Sequence, residues 1–293
     1  MPHGKCTQAL IVGCGDRPGT PAQARHGSLL SRLPLQVAGA FMSFCALRAS
    51  GNGGDELSIS GLWTSQPLVQ LLATLLPSTA SLERLSIAAD HPPFVSLGLQ
   101  GCSQLAGLHA LSVSGFRSLS AAGLALPALR CVKLASSLDG QGLDAALSSL
   151  ILAAPGLTEA ELTGLGSGGA NLEALPSLVA SQQLRKLKLA PAGASPLSSL
   201  PAGPYLAVLE ELDLSDCNLR QLPAALAAAT RLRRLSLERN STLQISTPDV
   251  EAILDPLQQL SRLDPDSWWR HNVSPAAVHA LGKHLPQLEV PTG

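Results

Sequence analysis

The chain has 293 residues, 45% of them apolar but only 3% aromatic, with 20 basic and 21 acidic side chains and a formal net charge of −1. That length holds one large or two ordinary domains, with a core made of Leu, Ala and Val. A sparse, balanced charge removes the basic face that nucleic acid or anionic lipid would need.

In chain order, the first 50 residues carry Gly, Pro, Arg and Ser without clear periodicity. Ala9-Leu-Ile-Val-Gly13-Cys-Gly15-Asp-Arg-Pro-Gly19 reads as a strand running into a glycine turn. A nucleotide or methyl-donor site would want an acid about 20 residues on, at the end of a second strand. No Asp or Glu occurs between Asp16 and Asp55, and Pro18 breaks the helix that should follow. The run before Gly13 is too short for a signal peptide. Residues 33–47 form an apolar stretch interrupted by Pro34, Gln36 and Ser43. It falls short of the roughly 20 residues of a membrane span, so the expectation is a helix capping the core of the first downstream unit. Gly51-Asn-Gly-Gly54 reads as a joint, which divides the chain into an irregular segment at 1–50 and a repeat domain at 51–293.

From there the chain repeats itself. The pattern L-x-x-L-x-L returns every 21 to 28 residues. Its copies are Leu82-Leu85-Ile87, Leu108-Leu111-Val113, Leu129-Val132-Leu134, Leu157-Ala160-Leu162, Leu184-Leu187-Leu189, Leu209-Leu212-Leu214 and Leu232-Leu235-Leu237. Weaker copies flank them at Leu57-Ile59, Leu260-Leu263 and Leu285-Leu288-Val290. Aliphatic residues two apart in a strand share one face, so each copy predicts a short strand with its leucines turned inward. A fixed period of this size means stacked units sharing a continuous core.

The return segments at 67–76 and 143–152 carry leucines at helical spacing. Thr247-Pro248-Asp249 reads as an N-cap, an early proline and an acid, and Ser274-Pro275 repeats the device. Only a short helix fits near 224–229. Helices outside strands bend the stack and put the strands on a concave face. At the C-terminal end, Leu285-Pro-Gln-Leu288-Glu-Val290 reads as the start of another strand. Three readings stay open there: an uncapped end, a shortened gene model, or an edge that pairs end to end with a second copy.

These residues resemble the leucine-rich repeat superfamily. The clearest copy is Leu209-Glu-Glu-Leu212-Asp-Leu214-Ser-Asp-Cys217-Asn-Leu219, followed by Leu232-Arg-Arg-Leu235-Ser-Leu237-Glu-Arg-Asn240. The resemblance implies an α/β solenoid with a curved parallel sheet, and that Cys217 and Asn240 tie adjacent turns together. The stretch from Cys102 to Leu124 is similar to the cysteine-containing subclass of ubiquitin-ligase substrate receptors; units of 26 to 28 residues are closer to ribonuclease-inhibitor-like repeats. Ala160 in place of a core leucine, and Pro265 at the sixth position of its copy, depart from the pattern.

Outward positions can be read from each copy. The early strands offer Arg84, Ser86, Ala110, Ser112, Ser114, Cys131 and Lys133. The later ones offer Glu159 and Glu161, then Lys186 and Lys188, then Glu211 and Asp213, then Arg234 and Ser236. Sign alternates from strand to strand. Two readings follow: a footprint for a charged protein partner, or charges that pair with one another. A second candidate patch is Trp268, Trp269 and Arg270, residue types enriched at interface hot spots, with core capping as the alternative.

Catalytic signatures are missing from the sequence: there is no G-x-S-x-G, P-loop or H-E-x-x-H, and the last three histidines, His271, His279 and His284, have the wrong spacing for two ligands on one helix. The six cysteines form no C-x-x-C pair, which gives no zinc site and no disulfide framework. No catalytic residue, cofactor or metal is expected. The sequons at Asn240 and Asn272 are expected to be silent. The leading expectation is a non-enzymatic scaffold binding a protein partner through the concave face. The alternatives are a ubiquitin-ligase substrate receptor, whose F-box is not found in residues 1–56, and a cofactor enzyme built on Gly13, Gly15 and Gly19. The resemblance implies a cytoplasmic protein, with the cytoskeleton or a ciliary axoneme as settings.

Overall fold

The computed structural model describes residues 8–12, 45–50, 56–61, 82–89, 96–99, 103–116, 118–135, 140–165, 176–191, 197, 199–264 and 272–288. The strands in chain order are β1 (Gln8–Val12), β2 (Cys45–Ser50), β3 (Glu56–Gly61), β4 (Arg84–Ala89), β5 (Ser96–Gly98), β6 (Ala110–Ser114), β7 (Ser118–Ser120), β8 (Cys131–Ala135), β9 (Glu159–Leu165), β10 (Lys186–Pro191), β11 (Glu211–Asp213), β12 (Arg234–Ser236) and β13 (Arg262–Asp264). Eleven of them form one sheet in the order β1-β2-β3-β4-β6-β8-β9-β10-β11-β12-β13. From β3 onward every pairing in this sheet is parallel, whereas β1 and β2 pair antiparallel with each other and β2 with β3.

The register puts each copy of the motif level with the next. Leu57, Leu85, Leu111, Val132, Ala160, Leu187, Leu212, Leu235 and Leu263 lie side by side across nine strands. None is more than 5% exposed. The leucine that opens each copy is buried as well, from Leu82 through Leu285. The outcome is a single core running from β3 to Leu285. Ala160 keeps its place in this column at 5% exposure. Just before each strand, one carbonyl accepts two successive amides of the next unit. The Glu83 oxygen takes His109 and Ala110, and the same relation recurs at His109, Arg130, Thr158, Arg185, Glu210 and Arg233. This chain of shared acceptors fixes the rise from unit to unit and satisfies backbone groups that would otherwise be buried unpaired.

The returns lie on the other side of the core. Helix α1 (Gly140–Ala153) covers the predicted 143–152 stretch and packs on β7. Helix α2 (Pro176–Ala180) packs on α1. A 3-10 turn spans Ala224–Ala228, where only a short helix was expected. The helix at 247 begins one residue earlier than its sequence indicates. Ser246 is the N-cap, and the Asp249 carboxylate accepts both its amide at 2.8 Å and its hydroxyl at 2.5 Å. Thr247 and Pro248 therefore occupy the first turn, and the segment continues as a π-turn over Val250–Leu254. Helix α3 (Pro275–His284) has the expected Ser274 cap, whose Oγ accepts from the Ala277 amide at 3.1 Å.

Two further expectations change. Residues 45–47, read as part of a capping helix, belong to β2, so this part of the N-terminal segment meets the repeat sheet edge-on. Residues 33–44 and 67–76 lie outside the described residues. In the last copy Leu285 is buried, residues 286–287 form a turn where a strand was expected to start, Leu288 is not in a strand, and Val290 lies outside the described residues. A second, two-stranded parallel sheet, β5 with β7, was not anticipated. It comes from a second small repeat, Ser96-Leu-Gly-Leu99 and Ser118-Leu-Ser-Ala121, whose Leu97, Leu99, Leu119 and Ala121 are all buried.

Four units turn on a left-handed residue at one fixed position. Gly115, Gly164, Asp216 and Arg239 fill it, with φ of 76°, 75°, 59° and 54°. Each stands two residues after the sixth motif position. At the corresponding place in the unit of Leu187 stands Pro191. Its ring holds φ near −65°, so it cannot make that turn. The strand runs on instead, and the register slips: Pro191 pairs with Leu165 rather than Gly164. The architecture is a leucine-rich-repeat solenoid: parallel rungs, one ladder of aliphatic side chains, and helical or looped returns opposite.

Candidate functional site

Because neighbouring residues of a strand point to opposite faces, the residues between the buried leucines emerge on the open face of the sheet. They form two columns. The first runs Glu56, Arg84, Ala110, Cys131, Glu159, Lys186, Glu211, Arg234, Arg262; the second runs Ser58, Ser86, Ser112, Lys133, Glu161, Lys188, Asp213, Ser236, Asp264. Early in the sheet, Glu56 on β3 and Arg84 on β4 stand among small side chains, and the β6 rung is small and neutral. From β8 onward the rungs are charged, and they line an open trough of about 480 Å³. Seven sequence-predicted residues meet there: Glu159, Glu161, Lys186, Lys188, Glu211, Asp213 and Arg234. Trp268, Trp269 and Arg270 lie outside the described residues.

The two central lysines each bridge both neighbouring strands. Lys186 Nζ stands 3.6 Å from Glu159 and 3.3 Å from Glu211. Lys188 Nζ stands 3.2 Å from Glu161 and 3.8 Å from Asp213. Lys133 reaches Glu161 from the other side at 2.7 Å. Further along, Asp264 accepts from Arg234 at 3.3 Å and from Arg262 at 2.8 Å. A hydroxyl pair, Ser215 and Ser236, sits 2.9 Å apart at the trough wall, with Ser215 also bonded to Asp213. Six bases (Lys133, Lys186, Lys188, Arg234, Arg239, Arg262) and six acids (Glu159, Glu161, Glu211, Asp213, Glu238, Asp264) line the trough, so its formal charge is zero.

These pairs shape the titration of the trough. Burial pushes the Glu161 carboxyl up, but hydrogen bonds from Lys133 and Lys188 outweigh it and hold Glu161 below the usual glutamate range. The charge of Glu159, with the hydrogen bond to Glu211, holds Lys186 above its usual range. The hydrogen bond to Glu161 does the same for Lys133. Cys131 is pushed up by burial and then by Glu159, which keeps its thiol protonated and a poor nucleophile.

Beside the trough, two buried side chains do what the sequence resemblance implied. Asn240 is 0% exposed. Its Nδ2 donates to the Leu214 carbonyl at 2.8 Å, Leu237 at 2.9 Å and Glu238 at 3.2 Å, while Oδ1 accepts from the Leu219 amide at 3.0 Å. Cys217, one unit earlier, donates from Sγ to the Leu189 carbonyl at 3.1 Å, the same relation to the preceding unit. Burial raises the Cys217 thiol to about 12. A buried Nδ2 committed to three carbonyls also closes the Asn240 sequon to glycosylation in the folded chain. On the surface nearby, Arg239 and Asp216 join the two left-handed turns through a bidentate pair, with Nε 2.8 Å from each carboxylate oxygen.

Sequence reasoning passed over Arg262 and Asp264 as part of this surface. Both were legible as the outward positions of the Leu260-Leu263 copy. Arg239 and Glu238 were not, because the turn that brings them to the trough is set by backbone conformation. Among the described residues no group of three His, Cys, Asp or Glu side chains could hold a metal ion, and no helix is long and apolar enough to cross a membrane.

No family model matches the chain, and no curated protein matches it. Among solved structures the chain is similar to a leucine-rich-repeat protein of Leptospira interrogans, at 18% identity over 78% of this chain with a TM-score of 0.44, and it spans 57% of that protein's length. It is also similar to an internalin of Listeria monocytogenes, at 15% identity over 80% of this chain and 78% of that one, with a TM-score of 0.34. The fold assignment stands on the strand register and the buried ladder.

Proposed function

We propose that the chain is a non-enzymatic protein–protein interaction scaffold that takes its partner on the open face of the sheet, along the rungs from β8 to β13. The observation that carries this reading is the trough itself. Ten of its twelve charged side chains are set in place by the strand register, and the lysines at its centre remain 43% and 47% exposed. Exposed ion pairs contribute only ~0–1 kcal/mol each, so exchanging them for a partner's charges costs little, while a wrongly charged partner meets repulsion. A site that is open along its length suits a macromolecule better than a small substrate, which needs an enclosing cavity. The run Trp268, Trp269 and Arg270 joins this reading as a second anchor.

The test is site-specific photo-crosslinking in cells that express the chain. A photoreactive side chain is placed in turn at Ser86, Lys188 and Ser236 on the open face and at Ser148, Ala225 and Glu251 on the return side. The reading predicts one specific protein adduct from Lys188 and Ser236 that is lost from the return positions. Adducts only from the return side would refute it.

A further inference from the structure

From β8 to β12 the sign of the trough changes at every rung, and that period carries information about the partner's shape. In strand order the open face presents Lys133 on β8, Glu159 and Glu161 on β9, Lys186 and Lys188 on β10, Glu211 and Asp213 on β11, and Arg234 on β12. Parallel rungs stand roughly 4.8 Å apart, so the sign reverses every ~4.8 Å and five rungs span about 19 Å. A complementary element laid across the rungs must reverse sign at the same interval.

An α-helix does this. Residues at i, i+3, i+7, i+10 and i+14 share one face, and a rise of 1.5 Å per residue puts them at about 0, 4.5, 10.5, 15 and 21 Å. Each falls within about 2 Å of a rung at roughly 0, 4.8, 9.6, 14.4 and 19.2 Å, inside the reach of Glu and Lys side chains. An extended strand does not. Its facing residues recur every ~6.7 Å, so the second already lies between two rungs of opposite sign. The formal neutrality of the trough points the same way: it favours a partner face of mixed charge over a uniformly acidic or basic one.

Resting on the open-face reading above, we propose that the partner element is an α-helix whose acids and bases alternate along one face, acids opposite β8, β10 and β12 and bases opposite β9 and β11. Binding exchanges the bridges of Lys186 and Lys188 for equivalent bridges to the helix. The helix needs about 15 residues to cross the charged rungs. Because the trough has no net charge, the specificity lies in the order of the charges and not in their sum.

The experiment compares three synthetic peptides on the full chain by fluorescence anisotropy. One is a stapled helix with Glu, Lys, Glu, Lys, Glu at the five facing positions. The second is an equally helical stapled peptide with the same residues reordered as three Glu followed by two Lys. The third carries the alternating charges at every second residue and is kept extended by prolines. The alternating helix is expected to bind at least about tenfold tighter than either control. On the Lys186→Glu, Lys188→Glu variant, where three successive rungs are acidic, preference should move to a helix with Lys at its three central facing positions. A second variant, Lys186→Met with Lys188→Met, keeps the aliphatic stems and should erase the ranking. Equal binding of the three peptides, no binding of any, or an unchanged ranking on both variants overturns the proposal. Open-face crosslinks to a cellular protein alongside a flat peptide ranking would sink the helix and leave the open-face reading standing. Crosslinks confined to the return side would remove that reading itself.

Discussion

Replacing Asn240 by Ala should cost this protein about 4 kcal/mol, because one side chain holds two units together from a fully buried site. Four hydrogen bonds disappear, three from Nδ2 and one to Oδ1. Nδ2 shares two hydrogens among its three carbonyls, so at roughly 1 kcal/mol net for each hydrogen and for the Oδ1 acceptor the bonds give ~3 kcal/mol, and the penalty for leaving buried groups unpaired brings the loss to about 4, with an upper side of about 5. Asn240 is 0% exposed, so solvent cannot take over these partners without local opening. Asn240→Cys should fall between, at about 2 kcal/mol, since a thiol can still donate to the Leu214 carbonyl as Cys217 does to Leu189, but leaves the Leu219 amide unmatched. Urea unfolding followed by circular dichroism gives the cost. Hydrogen exchange locates it: in a stack of units the loss should concentrate at residues 212–240, with little change at 111–113. A cost under about 1 kcal/mol with unchanged protection of the Leu219 amide would refute the reasoning.

Other outcomes follow from the same geometry. Arg239→Gly should change stability by less than about 1 kcal/mol, because relief of a left-handed residue offsets the loss of an exposed pair, whereas Arg239→Val should lose ~2 kcal/mol; urea midpoints separate the two. Lys186→Glu with Lys188→Glu removes four bridges and sets three acidic rungs side by side, and should lower the melting temperature more at low salt than at high salt, with equal loss at both ionic strengths counting against the charge ladder. Glu161 has a depressed folded pKa, so the folded chain binds fewer protons there than the unfolded chain. Its contribution is present above the ordinary glutamate pKa of about 4.3 and is lost as pH falls through the lower folded value. Glu161→Gln should therefore flatten the acid limb of a stability–pH curve measured between about pH 6 and 3, and an unaltered limb would contradict the pairing. The raised folded pKa of Lys186 works at the other end: its contribution is complete below about 10.4 and fades as pH rises beyond it.

The ladder was legible because it is written twice over, in spacing and in residue type. Leucines two apart, repeated in register, leave one arrangement that buries them all, and even Ala160 and Val132 keep their places. The sign alternation of Glu159, Lys186, Glu211 and Arg234 was legible for the same reason: once the leucines face in, the residues between them face out. What the sequence hid depends on backbone geometry or on weak signals. Asp216 and Arg239 carry no mark of the left-handed turn that Gly115 and Gly164 announce. Pro191 marks the register slip only after that turn is known. Ser246 looked like the residue before a cap, because Thr247 is as good a cap by type; the reach of the Asp249 carboxylate decides it. The Ser96 and Ser118 tetrapeptides repeat only once, which is too little periodicity to read as a sheet.

The central claim is that the triplets lie level as parallel rungs and so place the charges in one trough. Cross-strand nuclear Overhauser contacts in a leucine-labelled sample test it most directly. The register predicts backbone contacts between Leu187 and Leu212, between Leu212 and Leu235, and between Leu235 and Leu263. Contacts displaced by one residue, or no contacts among these four leucines, would turn the charged residues inward or scatter them, and would contradict the account.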